Sequence, residues 1–233
     1  MAHNDVYTMI VFDLDGTLLD TWPGLLAAVR SVLRSDSPEL DPGALRLQMS
    51  FGIGAVLNQA VRQMGLDDDN ASGVRIRILD AYLHQWLCTA KPYAGTQAML
   101  HSLLSAGYTL GVCTNRDRGT TEALLAHLGW SALFSGIICL DECANAKPHP
   151  EPLLTLLSHC HCSPSHALFV GDSLVDAQCA ARAQVSFAAH LQGYHSHPND
   201  LFPCALAFSH ASELATWVIR QGSSFSPGET SHG

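Results

Sequence analysis

Five short apolar runs, separated by stretches of helical periodicity, constrain this chain more than any other feature. Met9-Ile10-Val11-Phe12 comes first, followed by Tyr108 to Cys113, Gly136 to Leu140, Ala167 to Val170 and Ser186 to Leu191. A strand that is apolar on both faces needs cover on both, which the parallel sheets of α/β proteins supply. Between the runs, apolar residues recur at helical spacing: Met99, Leu100, Leu103 and Leu104; Leu124, Leu125 and Leu128; Leu153, Leu154 and Leu157. Strand and helix therefore alternate, which predicts right-handed crossovers and a doubly wound parallel sheet of the α/β class.

One stretch breaks the alternation. From about Thr21 to Ala90 the chain shows four helix-like segments and no convincing strand, so a helical insert at 21–90 is expected within a core built from 1–20 and 91–221. Thr21 is expected to cap the first helix, with Pro23 in its first turn and Leu25, Leu26, Val29, Val32 and Leu33 as its apolar face. Asp41-Pro42 opens a second helix, Gly52-Ile53-Gly54 a third, and the fourth runs from about Ser72 to Cys88. Asp67-Asp68-Asp69-Asn70 reads as a solvated loop and helix cap. Pro92 and Gly95 mark the return to the core. Residues 222–233, rich in Ser, Gly and Pro, are expected to form a disordered tail.

Composition narrows the function classes. With 233 residues and 47% hydrophobic content the chain can bury a sizeable core. A formal net charge of -9 disfavours nucleic acid and anionic membranes as partners. No apolar run approaches the roughly 18–20 residues of a membrane span, so no membrane association is expected. Several of the eight cysteines fall in expected buried strands, and Met1 to Thr8 lacks the character of a secretory leader. Reduced thiols and a cytoplasmic location follow.

The chemistry gathers where the runs end. Ligands of open α/β sheets bind beyond the carboxyl ends of the strands, and Asp13-Leu14-Asp15-Gly16-Thr17 stands directly behind the first run. An Asx-type turn is the purely conformational alternative. Cys113-Thr114-Asn115 ends the next run, setting a hydroxyl beside an amide where both can donate to a phosphoryl oxygen. Lys147 is one of only two lysines, and Pro148 and Pro150 stiffen the chain behind it. Gly171-Asp172-Ser173 and Asp176 follow the fourth run and offer oxygen ligands of the kind Mg²⁺ takes, with Asp172 as direct ligand and Asp176 behind it holding a water or Lys147. Parallel strands put their carboxyl ends on one edge, so Asp13, Asp15, Thr114, Lys147 and Asp172 can converge. Arg116-Asp117-Arg118 reads as a solvated turn, with contact between Arg116 and a substrate as the alternative. His159-Cys160-His161-Cys162 alternates ligand types on a short loop, a poor arrangement for one tetrahedral zinc centre.

On Asp13-Leu14-Asp15-Gly16-Thr17, Thr114, Lys147-Pro148 and Gly171-Asp172 with Asp176, taken in that order, the chain resembles the haloacid dehalogenase superfamily over about residues 8 to 195. The resemblance implies a Rossmann-like core and, for the insert, the α-helical cap of the first subgroup. Leu18-Leu19-Asp20-Thr21, Phe51-Gly52-Ile53-Gly54, Thr114-Asn115 and Lys147-Pro148-His149-Pro150-Glu151-Pro152 look most like the phosphoglycolate phosphatase branch. It further implies Mg²⁺-dependent hydrolysis of a small phosphorylated metabolite through an aspartyl-phosphate. Asp13 would be nucleophile and Asp15 acid then base; Mg²⁺ would be held by Asp13, the backbone carbonyl of Asp15, and Asp172; Thr114, Asn115 and Lys147 would hold the phosphoryl oxygens. Pyrophosphatase, nucleotidase and beta-phosphoglucomutase-like phosphotransfer are the alternatives within the family, and a non-catalytic phosphate-ester-binding regulator is the alternative outside catalysis. Ala183-Gln184 departs from the Ala-Gly that relatives often carry. Monomer and homodimer are both compatible with the pattern.

Overall fold

The computed structural model describes residues 7–33 and 38–223. In chain order its strands are β1 (Met9–Phe12), β2 (Leu19–Asp20), β3 (Lys91–Pro92), β4 (Thr109–Cys113), β5 (Gly136–Ile138), β6 (Ala167–Gly171), β7 (Ser186–His190) and β8 (Leu206–Phe208). The helices are α1 (Trp22–Ser31), α2 (Pro42–Arg46), α3 (Ile53–Gln63), α4 (Asp68–Leu83), α5 (Trp86–Thr89), α6 (Thr96–Ser105), α7 (Arg118–His127), α8 (Glu151–His159), α9 (Leu174–Ala183) and α10 (Ala211–Ser223). Gly222 and Ser223 close α10, and the remainder of the expected tail lies outside the described residues.

Six strands form one parallel sheet in the order β5-β4-β1-β6-β7-β8. Central β1 pairs along its whole length with β4 on one side and β6 on the other. Its alternate residues feed two apolar layers: Ile10 and Phe12 join Leu110, Val112, Leu168 and Val170, while Met9 and Val11 join Phe169 and Phe187. That is why the first run contains no polar residue. Burying each such large side chain stabilises the fold by about 1.5–3 kcal/mol.

The chain builds outward from β1 through β4 to β5, then crosses back to start again at β6 on the other side of β1. Strand order thus reverses beside β1, and the loops after β1, β4 and β6 open into the crevice that such a reversal leaves. The expected strand Gly136 to Leu140 stops at Ile138, because Cys139 and Glu142 cap a 3-10 turn over Leu140–Glu142. β8 was not anticipated. It is a three-residue edge strand, only partly buried, and too short to show periodicity.

Between β2 and β3 every regular element among the described residues is helical. β2 and β3 pair antiparallel, Leu19 with Pro92 and Asp20 with Lys91, so the chain leaves the core and returns to it at one place. Leu25 and Val29 of α1, Val56 and Ala60 of α3, and Ile78 and Tyr82 of α4 belong to the same apolar cluster as one face of the sheet. Two expectations need correction here. Thr21 makes no side-chain cap to α1, because its hydroxyl is drawn to Asp15 instead. The fourth helix starts at Asp68 rather than Ser72, because the Asp67 carboxylate accepts the Asn70 N–H and turns the expected loop into a first helical turn; the helix then breaks at His84-Gln85 before α5.

Among the described residues no helix is long and apolar enough to cross a membrane. All eight cysteines are free.

Candidate active site at the strand ends

Asp13 is the first residue beyond β1, and its N–H extends the ladder by donating to the Val170 carbonyl (2.9 Å). The turn behind it needs Gly16: φ is +96°, and a Cβ there would run into the Asp172 carboxylate. Thr17 then donates its hydroxyl to Asp172 Oδ1 (2.9 Å), while Asp172 Oδ2 accepts the Tyr194 N–H (2.5 Å). Asp176 lies in the first turn of α9, locked by a reciprocal cap with Ser173. Lys147 reaches in from the loop before α8 and donates to Asp13 Oδ1 (2.7 Å) and Asp176 Oδ1 (2.6 Å). All these side chains are buried.

Asp13, Asp172 and Asp176 each offer an oxygen within 4.8 Å of the others. Burial takes the Asp13 carboxyl up to about 7, with Lys147 pulling it back and Asp176 and Asp15 pushing it on. Burial, then the charges of Asp176 and Asp13, push Asp172 well above the usual carboxylate range. One ammonium does not balance three enclosed carboxylates. A hard divalent cation relieves that repulsion and restores the ionised forms, and an all-oxygen donor set suits Mg²⁺.

The Asp15 carboxylate points elsewhere. Its Oδ1 accepts from the Thr21 hydroxyl (2.6 Å) and Arg116 Nη2 (2.9 Å), and its Oδ2 accepts from Arg116 Nε (3.0 Å). Burial alone would raise its pKa, but the guanidinium and the hydroxyl outweigh burial and hold it below the ordinary value. A part for Asp15 in metal binding is therefore left to its backbone carbonyl.

The expected solvated turn at Arg116 is wrong. Arg116 is 4% exposed: Asp117 caps α7 and the Arg116 side chain turns inward, where Nη2 also donates to the Tyr82 hydroxyl (3.0 Å) and the guanidinium lies 5.5 Å from the Trp86 ring centre. Tyr82 and Trp86 both belong to the insert.

Thr114, at the end of β4, is buried, and its hydroxyl accepts the Arg116 N–H (3.2 Å). The side chain of Asn115 is wholly engaged. Its Nδ2 donates to the carbonyls of Ser50 and Lys147 (3.0 Å each), and its Oδ1 accepts the Lys147 N–H (3.1 Å). Asn115 thus ties the β4 end to the Lys147 loop and to the insert. Gly52, two residues after Ser50, has φ +88°, and a Cβ there would stand 2.7 Å from the Asn115 carbonyl. One cavity collects Asp13, Asp15, Thr114, Asn115, Arg116, Lys147 and Asp176 from the core with Met49, Ser50, Gly52 and Ile53 from the insert.

Residues 10–190 match the family described as haloacid dehalogenase-like hydrolase. The chain belongs to that family. A phosphoglycolate phosphatase of Rhodospirillum rubrum is 34% identical over 216 residues, covering 90% of each chain. An N-acetylmuramic acid 6-phosphate phosphatase of Pseudomonas aeruginosa is 33% identical over 192 residues, covering 82% of this chain and 84% of the relative. Among solved structures, a predicted phosphoglycolate phosphatase of Haemophilus somnus superposes with a TM-score of 0.84 at 25% identity, covering 91% of this chain and 97% of that one.

In this haloacid dehalogenase-like hydrolase the strand-end residues read from the sequence do meet around one cavity, except that the carboxylate of Asp172 reaches it through Thr17 and the Asp13 cluster rather than as a lining group. Sequence reasoning missed Tyr82 and Tyr194. The Tyr194 hydroxyl accepts the N–H groups of Thr21 (2.8 Å) and Trp22 (3.0 Å) and donates to Asp20 (3.0 Å), while its own N–H holds Asp172, so one residue ties the root of the insert to the carboxylate cluster. No local signal marks it. Cys160 and Cys162, from the His/Cys-rich loop, pack against the second apolar layer of the core.

Proposed function

We propose that this chain is a Mg²⁺-dependent phosphatase of small phosphate monoesters that works through an aspartyl-phosphate, in the manner of the phosphoglycolate phosphatases it resembles. The observation that carries the reading is the separation of two neighbouring carboxylates: buried Asp13 sits in a cluster with Asp172, Asp176 and Lys147, while half-buried Asp15, two residues on, is held apart by Arg116 and Thr21.

An Asp13 carboxylate oxygen attacks phosphorus in line. The ester P–O bond breaks, its electron pair goes to the leaving alkoxide, and Asp15 supplies the proton. Asp15 then takes a proton from water, which attacks the aspartyl-phosphate and releases inorganic phosphate and free Asp13. Lys147, the Thr114 hydroxyl and the backbone N–H of Asn115 hold the phosphoryl oxygens. Asp13, Asp172 and the backbone carbonyl of Asp15 would hold Mg²⁺, with Asp176 behind them. When bound, the ion neutralises phosphoryl charge.

The helical segment 21–90 acts as a cap over a core of 1–20 and 91–221. Its contacts at Asn115 and Arg116 close the cavity, and closure excludes water from the aspartyl-phosphate until the leaving group departs. Free thiols throughout support a reducing compartment, the cytoplasm.

The test is phosphate release from a panel with Mg²⁺ or with EDTA, comparing wild type with Asp13→Asn. The panel holds phosphoglycolate, sugar phosphates including N-acetylmuramic acid 6-phosphate, nucleoside monophosphates, pyrophosphate and p-nitrophenyl phosphate. The expected result is metal-dependent release that falls by at least about 10³-fold in the variant. Equal release from both proteins, or none from any ester, would sink the reading.

A further inference from the structure

We propose that Arg116 determines specificity by binding, through Nη1, a carboxylate carried on the leaving group, so that the preferred substrates are phosphate monoesters of short hydroxycarboxylates. This deepens the proposed phosphatase reading and rests on it.

The guanidinium presents five N–H donors in a rigid fork. Two of its three hydrogen bonds go to Asp15: Nε reaches Asp15 Oδ2 and Nη2 reaches Asp15 Oδ1. The third runs from Nη2 to the Tyr82 hydroxyl. Nη1 is enclosed and has no hydrogen-bond partner among the described residues. Buried donors are almost always satisfied, and an unpaired one on a charged group is costly. The residue that carries it is 4% exposed and lines the cavity that holds Asp13 and Lys147. A ligand atom in that cavity is the partner that Nη1 lacks.

Position says which end of the substrate it meets. Lys147 and Thr114 stand beside Asp13 and serve the phosphoryl group, whereas Arg116 is clamped to Asp15, the residue that faces the leaving oxygen. The free donor therefore belongs to the leaving-group side. It is cationic, and a charged donor favours an anionic carboxylate over a hydroxyl or an amide. Ile53 and Gly52 of the cap share the same cavity and limit the leaving group to a compact one. A carboxylate one carbon from the ester oxygen can touch Arg116 while that oxygen stays beside Asp15, so one side chain aligns the acid and the substrate together. Arg116 is thus a binding residue for substrate and a positioning residue for Asp15.

The experiment measures kcat/KM for 2-phosphoglycolate and for its neutral isostere 2-phosphoglycolamide, in wild type, Arg116→Lys and Arg116→Gln, with circular dichroism as the check of folding. Wild type is expected to prefer the carboxylate by on the order of 100-fold or more. Arg116→Gln should bring the ratio to within a few-fold of one, chiefly by raising KM for phosphoglycolate, and Arg116→Lys should keep part of the preference. If Arg116→Gln lowers both substrates equally and leaves the ratio intact, Arg116 only positions Asp15 and the proposal is overturned. A wild type without preference also overturns it. Loss of carboxylate preference alongside Asp13-dependent release from p-nitrophenyl phosphate leaves the phosphatase reading standing; no release from any ester overturns both.

Discussion

The two halves of the cavity are built from different materials. On the core side, Asp13 and Asp176 flank Lys147 with Asp172 beside the two carboxylates, all buried and held by paired strands, a helix cap and the Thr17 and Tyr194 hydrogen bonds. On the insert side the contacts are a backbone carbonyl at Ser50, a phenol at Tyr82, an indole face at Trp86 and the bare backbone of Gly52. The core half carries charge that must be neutralised. The insert half carries almost none; it meets the core at Asn115 and Arg116, both at the end of β4, and also where Arg46 Nη2 donates to the Gly193 carbonyl. On the proposed reading, reaction chemistry is assigned to the buried charge cluster and substrate admission to the nearly uncharged insert side.

If that division is right, Lys147→Ala produces the largest change. Removing one partner of an enclosed ion pair costs about 3–5 kcal/mol, here leaving Asp13 and Asp176 unpaired. Urea unfolding in EDTA should show a loss of that order, made smaller by Mg²⁺; a loss below about 1 kcal/mol would mean the cluster is not an interior pair.

Metal and pH sharpen the same point. Folded Asp13 titrates near 7 against an ordinary 3.8, so between those values the folded chain keeps a proton that the unfolded chain has lost. Stability of the metal-free protein therefore falls as pH rises through that window, and Asp172, also raised, adds in the same direction. Because Mg²⁺ needs the ionised carboxylates, the rise in melting temperature it produces should grow from about pH 5.5 to about pH 8. An increment independent of pH would count against the three carboxylates as the metal site.

On the insert side the effects should be smaller and of another kind. Gly52→Ala meets both a positive φ and the Asn115 carbonyl, a strain of about 1–3 kcal/mol. It should push the cap loop off β4, raising KM while the Mg²⁺-dependent melting increment stays as in wild type. Tyr82→Phe is the mildest. It removes one acceptor from Arg116 while the grip on Asp15 remains, about 1 kcal/mol or less than tenfold in kcat/KM. A fall of 100-fold or more would show that the insert takes part in the chemistry and would erase the contrast.

Legibility followed the same boundary. The convergence of Asp13, Asp15, Thr114 and Asp172 could be expected because each follows an apolar run and parallel strands leave their ends on one edge; Lys147 stands out by the scarcity of lysine and the prolines behind it. Asn115 lines the same cavity, but its side chain is spent on Ser50 and Lys147 rather than left free for a phosphoryl oxygen. Thr21 was given to a helix cap, although a carboxylate six residues earlier competes for its hydroxyl and wins. Arg116 reads as an ordinary basic residue in a polar turn until Tyr82 and Trp86 close over it.

What the sequence by itself determined was the α/β alternation, the helical interruption between β2 and β3 and the line of polar side chains at the strand ends. These rest on local rules: periodicity, turn residues and the direction that parallel pairing imposes. Only the tertiary structure decided that the Asp15 carboxylate turns to Arg116, 101 residues away, and that Tyr194 joins Thr21 across 173 residues. Such pairings are chosen by which buried donors and acceptors find one another when the insert packs on the core, a competition that no local stretch of sequence records.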